Sequence, residues 1–159
     1  MQIFNRTMGR VLVTALVAAA VAAALGGVSL ARAGSGDVTL RLTEVQDRAT
    51  FVNVTHTQQG GPGDQVVLRS TLKNAAGKRI GFSSLICEMV LGHKLQCNGV
   101  LHLPGGTLTG TALVPASESS RAPTHIAITG GTGRYDQAAG QGVSIPKSDT
   151  VSSTVIDLD

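Results

Sequence analysis

Ile126-Ala-Ile-Thr-Gly-Gly-Thr-Gly-Arg-Tyr135-Asp-Gln-Ala-Ala-Gly-Gln-Gly142 is the stretch whose reading decides the fold. A short run rich in β-branched residues leads into Gly130, Gly131 and Gly133, then the chain's single tyrosine, a small-residue patch and a second alternating run, Val143-Ser-Ile145. This reads as strand, tight corner, strand. The glycines supply positive φ or close backbone approach, which a Cβ forbids. A glycine-rich loop after a strand also has the outline of a phosphate cradle. The dinucleotide fingerprint G-x-G-x-x-G fails, because Gly131 and Gly133 are followed by Asp136 where the third glycine would stand. A phosphate loop ending in Gly-Lys-Ser/Thr fails too, since no lysine follows. The corner of a β-barrel is the better reading.

Working outward, the rest of the chain repeats short strands and turns. Val38 to Val45 alternates, with Val38, Leu40 and Leu42 on one face and Thr39, Arg41 and Thr43 on the other. Gln46-Asp-Arg48 reads as a turn and Ala49 to His56 as a second strand. Thr57 to Asp64, with three glycines and a proline, reads as a flexible rim loop able to cover a barrel mouth. Strands follow over Gln65–Leu72, over Lys78–Val90 with Gly81 marking a bulge, over Leu95–Leu103 and over Thr107–Val114. Turns fall at Asn74–Gly77 and Pro104–Gly106, and Pro115–Pro123 is a second long loop. Thr124–Thr129 leads into the opening stretch, and Thr150–Ile156 is a last alternating strand. No segment carries helical periodicity of useful length. Eight or nine strands joined in sequence by glycine-rich turns point to an all-β up-and-down barrel or a sandwich.

The first 33 residues read as an address rather than part of the fold. Arg6 and Arg10 precede an apolar run from Val11 to about Leu25, and the segment ends in Ala31-Arg-Ala33, the small-x-small pattern of signal-peptidase cleavage. Cleavage is expected after Ala33, leaving 34–159 as one exported domain; an uncleaved membrane anchor is the competing reading. Removing the leader also removes Arg6, Arg10 and Arg32 and no acid, so ten basic residues face ten acidic ones. The remaining domain is formally neutral and shows no basic cluster, which speaks against nucleic acid as a partner. After the leader the only aromatic residues are Phe51, Phe82 and Tyr135, too few for stacking platforms that hold single strands or sugars.

Cys87 and Cys97 are the only cysteines. In an exported chain a disulfide is the default, and a hairpin centred on Gly92 sets the two directly opposite each other. A redox-active pair would want Cys-x-x-Cys, which is absent. The histidines His56, His93, His102 and His125 stand singly, without the close spacing of a metal site, and no cofactor is called for. No Gly-x-Ser-x-Gly elbow offers a serine nucleophile. Among the carboxylates, Glu44 and Asp47 flank the first predicted turn, and Glu88 sits beside Cys87. Alternation sends Glu88 and Cys87 to opposite faces. A Glu88 turned inward would have a raised pKa and could act as acid or base; turned outward it is simply solvated.

Three segments together, Pro62-Gly-Asp64 with Ala76-Gly-Lys-Arg-Ile-Gly81, Cys87 to Cys97 with Leu103-Pro-Gly-Gly-Thr-Leu-Thr-Gly110, and Ile126 to Tyr135 with Ala138-Ala-Gly140, resemble the allene oxide cyclase barrel-like and dirigent-like superfamily. The likeness covers roughly Val38 to Ile145 and is nearest to small exported bacterial members. It implies an eight-stranded antiparallel barrel with an apolar internal cavity, often assembled as a homotrimer. Plant allene oxide cyclases close a reactive epoxide fatty acid into a ring, and dirigent proteins hold phenoxy radicals while they couple. On the cyclase pattern the glutamate and asparagine of the first strand fall at Arg41 and Thr43, and a pocket asparagine falls near Ser70; only the cysteine position is met, by Cys87. The dirigent arginine falls on Asp136 or Ala139. Neither activity is matched residue by residue.

The sequence therefore predicts a barrel that binds a small hydrophobic molecule and steers its cyclisation or coupling by confinement, with Arg41, Thr43, Ser70 and Tyr135 as candidate cavity or rim residues. A true cyclase or isomerase using Glu88, Arg41 or Tyr135 is the second reading. A secreted protein that interacts through its outer surface is the third.

Overall fold

The computed structural model describes residues 38–57, 60–116 and 122–159; the predicted leader lies outside them. The strands are β1 (Val38–Val52), β2 (Gln65–Lys73), β3 (Arg79–Val90), β4 (Lys94–Leu103), β5 (Gly106–Pro115), β6 (Thr124–Gly133), β7 (Gly140–Pro146) and β8 (Val151–Leu158). Each pairs antiparallel with the next, and β8 returns to β1, so the sheet closes into an eight-stranded up-and-down barrel. Among the described residues closure leaves no free edge strand, which is the main liability of an all-β chain.

Two predicted boundaries differ. Residues 38–52 form one strand, not two strands with a turn at Gln46–Arg48. Pairing with β2 continues on both sides, Gln46 opposite Ser70 and Arg48 opposite Arg69, and Asp47 is the extra residue of a bulge. Its carboxylate accepts hydrogen bonds from the Thr71 N–H at 2.9 Å and from Arg69 Nη1 at 2.7 Å. The bulge's unpaired residue is thus satisfied from the neighbouring strand and the chain stays extended. The second difference lies in the deciding stretch. Gly130, Gly131 and Gly133 belong to β6 itself, and the corner is Arg134–Ala139.

The glycines serve close approach more than turning. A Cβ on Gly131 would overlap the Tyr135 carbonyl oxygen and lie 2.6 Å from that of Thr107. Gly133, at φ 64°, stands opposite Gly106 of the Leu103-Pro-Gly-Gly turn, whose Gly105 carbonyl accepts from the Arg134 N–H at 2.9 Å. The two glycine-rich motifs are therefore one locked corner. It folds the chain back so that Tyr135 and Ala138 pack onto the core.

That core fills only one end of the barrel. Leu42, Leu72, Leu103, Leu108, Ile128, Ile156 and Leu158 form a buried cluster at the end where the β6–β7 corner lies. Leu72 and Leu108 are fully buried. An eight-stranded barrel is just wide enough for inward side chains to fill, and here leucine and isoleucine fill it.

At the other end, the segment expected to be a flexible loop is fastened at its root by Asp64, only 1% exposed. Asp64 Oδ1 accepts from the Val54 and Thr55 N–H groups at 2.7 and 2.8 Å, and Oδ2 from the Gly61 N–H at 2.8 Å and the Thr55 hydroxyl at 3.0 Å. These donors, the Thr55 N–H foremost, hold the carboxyl below its ordinary value of 3.8, although burial pushes the other way. A lowered folded pKa means the ionised form is the one the fold favours. The contribution is complete above pH 3.8 and is lost as pH falls through the lower folded value. The protection of the Val54, Thr55 and Gly61 amides, relative to an open chain at the same pH, is expected to fall on acidification below that point, ahead of the barrel strands. In Asp64→Asn it should be low at neutral pH already, as hydrogen-exchange NMR would report.

Candidate functional site

The open half of the barrel is a cavity of about 360 Å³. Its existence follows from the inward positions. Leu68, Leu85, Gly99, Gly110 and Ile128 stand side by side in one ring of the barrel, and the two glycines contribute no side chain. The next ring towards the mouth holds Val66, Cys87, Cys97 and Ala112. Here the register leaves space where the closed end has leucine.

The lumen has two unlike walls. Across β2 to β5 it is mainly apolar, with Val66, Leu68, Leu85, Leu95, Ala112 and Val114, and Ser70 of β2 at its edge. Cys87 and Cys97 pair directly across β3 and β4 and are joined by a disulfide that forms part of this wall. The bridge fixes the hairpin at the level of the cavity. Replacing both cysteines by alanine is expected to lower stability by about 2–3 kcal/mol, since the closed loop is short, and the melting temperature by about 10 °C in a calorimetric scan.

The facing wall, from β7, β8 and β1, carries polar side chains: Ser144, Ser152, Thr154, Glu44 and Gln46. Glu44 lies at its centre. Its Oε1 accepts from the Thr154 hydroxyl at 2.6 Å and its Oε2 from the Ser83 hydroxyl at 3.2 Å. Both donors are buried, and Ser144 Oγ stands 3.0 Å from Thr154 Oγ1. A carboxylate has about four lone-pair sites, so Glu44 keeps acceptor capacity towards the lumen. The cavity thus offers one anchoring point for a hydrogen-bond donor, faced by an apolar surface.

Of the residues singled out from the sequence, Ser70 lines this cavity, opposite Gln46 and Ser83. Arg41 and Thr43 alternate with the inward Leu42 and Glu44 and sit on the outer face. Glu88 is exposed beside the inward, buried Cys87, so the pair divides as alternation requires, with the glutamate outside. Tyr135 packs against the closed end, away from the cavity. The histidines stay apart: His56 and His93 are in loops at positive φ, His125 is exposed, and His102 stacks on Phe82 with ring centroids 4.2 Å apart on the outer surface. Among the described residues no three potential metal ligands gather.

Glu44 is the site residue that strand reading passes over. Its signal is its phase: it continues Val38, Leu40 and Leu42, the apolar face of the first strand. A charged residue in step with an inward apolar row marks a lumen group.

Solved structures share this architecture. Pyocyanin demethylase is 23% identical over 77% of this chain and 100% of its own, with a TM-score of 0.62. The Diels-Alderase AbmU from Streptomyces koyangensis is 22% identical over 91% of this chain and 72% of its own, with a TM-score of 0.66. The fold is one that these enzymes share with dirigent proteins. The pterocarpan synthase dirigent protein GePTS1 lies further off in sequence, 16% identical over 77% of this chain and 86% of its own, with a TM-score of 0.56. No protein-family model matches the chain, and a search of curated proteins gives no match. At these identities the likeness is one of fold.

Proposed function

We propose that this chain is an exported barrel that draws a small, mainly apolar molecule bearing one hydrogen-bond donor into the open half of its lumen, and holds it folded so that it cyclises or couples. The observation that carries the reading is the two-walled cavity, mainly apolar from β2 to β5 and hydroxyl- and carboxylate-bearing from β7 to β1. An apolar wall supplies most of the binding, and a few placed polar groups fix orientation. Glu44 is placed to take the donor, pinning one end of the ligand while the opposite wall compresses the rest. Confinement of this kind accelerates an intramolecular step by holding near-attack conformers, without strong acid–base chemistry. The cyclases and dirigent proteins among the structural neighbours support a cyclisation or coupling role. Export is supported by the predicted leader and by the disulfide, a bond kept in oxidising compartments. Glu88 and Arg41, both on the outer face, give no support to an acid–base cyclase built on them.

The test is native mass spectrometry of the protein isolated from its own host, beside an Ala112→Phe variant. Ala112 faces the lumen, and phenylalanine there would occupy much of the free volume. A co-purifying apolar mass that disappears in the variant is the expected result. Protein that emerges empty, and that binds no apolar probe when refilled, would overturn the reading.

A further inference from the structure

The barrel wall is not sealed evenly. Along the β5–β6 seam, pairing runs from Gly106 opposite Gly133 to Thr111 opposite Ala127 and then stops. Continuing the register would oppose Ala112 with Ile126 and Leu113 with His125. Instead Ala112–Pro115 pairs only with β4, and Thr124–Ile126 only with β7. The neighbouring seams hold further towards the mouth: β4 to β5 is paired as far as Pro115, β6 to β7 as far as Thr124, and β7 to β8 as far as Pro146. A bulge at Thr109/Gly110 lies just before the break. Bulges bend a strand, raise its twist and end pairing, and they favour barrel rims and sites.

A groove lies on the outer surface over this gap. It is bordered by Leu113 on one lip and His125 on the other, and its floor includes Thr111, Ala112 and Ile126. The same three residues line the lumen. Alternation points Ala112 and Ile126 inward, so their presence in both cavities marks the place where the wall is thin. Leu113 is 58% exposed, and among the described residues no Asp, Glu, Lys or Arg borders the groove. Ala112, Leu113, Ile126 and Ala127 offer an aliphatic chain an apolar seat without fixed charge, beside the neutral amides of Gln96 and Gln141.

We infer that the unpaired β5–β6 segment is a side portal through which the aliphatic tail of an elongated ligand leaves the lumen. The inference rests on the lumen being the binding site. It adds the substrate class: a molecule with a donor head near Glu44 and a linear tail longer than the lumen can house. At about 30 Å³ per water-sized group, the lumen holds roughly a dozen heavy atoms. A longer chain must emerge, and beside the mouth the unpaired β5–β6 seam at the edge of the apolar wall is a break through which it can leave.

Equilibrium dialysis with labelled decanol and tetradecanol tests this, the first short enough for the lumen and the second too long. The variants are Leu113→Glu, which sets a charge on one lip, and His125→Trp, which covers the gap from the other. Both side chains are exposed, so folding should be retained, as circular dichroism would show. Wild-type protein should bind both alcohols, tetradecanol the more tightly. Both variants should keep decanol within about twofold and lose tetradecanol by about tenfold or more, because the added methylenes then have no apolar seat. If the variants bind tetradecanol as wild type does while decanol also binds, the portal is overturned and the lumen reading stands. The portal is equally overturned, with the lumen reading intact, if wild type takes decanol and refuses tetradecanol. If wild type binds neither alcohol, the lumen reading fails and the portal with it.

Discussion

Replacing Gly131 by valine is expected to cost more than about 3 kcal/mol and to leave little folded protein at physiological temperature. The reason is the identity of what the new side chain meets. A Cβ there would overlap the Tyr135 carbonyl oxygen and fall 2.6 Å from that of Thr107, both main-chain atoms in different segments. Flexible side chains can yield to such a contact; two backbone oxygens held by ladder and corner hydrogen bonds yield only if the corner opens. Opening it lifts Tyr135 and Ala138 off the buried cluster that closes this end. Gly99 provides the comparison. A Cβ there approaches Leu85 Cγ at 3.1 Å, a side-chain atom that can shift into the open lumen, whereas the nearest backbone oxygen is 3.6 Å away, so Gly99→Ala should cost only about 1 kcal/mol while narrowing the lumen. Chemical denaturation of the two variants would show the contrast, and equal loss at both positions would refute the locked-corner account.

Much of this architecture was legible in the sequence because inward and outward faces alternate with a period of two, and because glycine-rich turns punctuate the strands. The Cys87–Cys97 register followed from simple symmetry about Gly92, and the structure has it. What the pattern hid is instructive. Gln46-Asp-Arg48 has turn composition, yet Asp47 hydrogen-bonds to Thr71 and Arg69 on β2, a tertiary arrangement that local composition does not contain. Gly130, Gly131 and Gly133 looked like the corner itself, whereas their role is to admit backbone from distant segments; chain-local reading does not tell a glycine that turns from one that makes room. The cavity itself was implied by the resemblance, but its place in the barrel was hidden for a related reason. It depends on which residues share a ring, Gly99 beside Gly110, and ring membership is a matter of register across strands. Glu44 was visible as a carboxylate, but its place next to a predicted turn drew attention from its phase.

That phase makes Glu44 the residue on which fold and function are most closely joined. Glu44→Leu removes the acceptor for Ser83, fully buried, and for Thr154, 1% exposed. Ser83 is then stranded at an expected cost of about 1–3 kcal/mol, while Thr154 keeps Ser144 Oγ at 3.0 Å and loses less, so the variant should melt below wild type. Binding should change selectively. A hydrogen bond to a charged group contributes about 1.5–3 kcal/mol, so a lumen ligand with a hydroxyl or amine head should bind roughly ten- to hundredfold more weakly, whereas a hydrocarbon of the same size should bind at least as well. Glu44→Gln keeps one acceptor oxygen and should fall between the two in both respects. Stability and binding can then be separated. Adding Ser83→Ala and Thr154→Val to Glu44→Leu removes the hydroxyls that Glu44 accepted from, and replacing both partners of a buried polar contact by apolar groups is close to neutral. The triple variant should regain most of the lost melting temperature and none of the lost affinity for the donor-bearing ligand. Recovery of both would make Glu44 a purely structural brace; recovery of stability alone is the signature of a lumen carboxylate that meets the ligand.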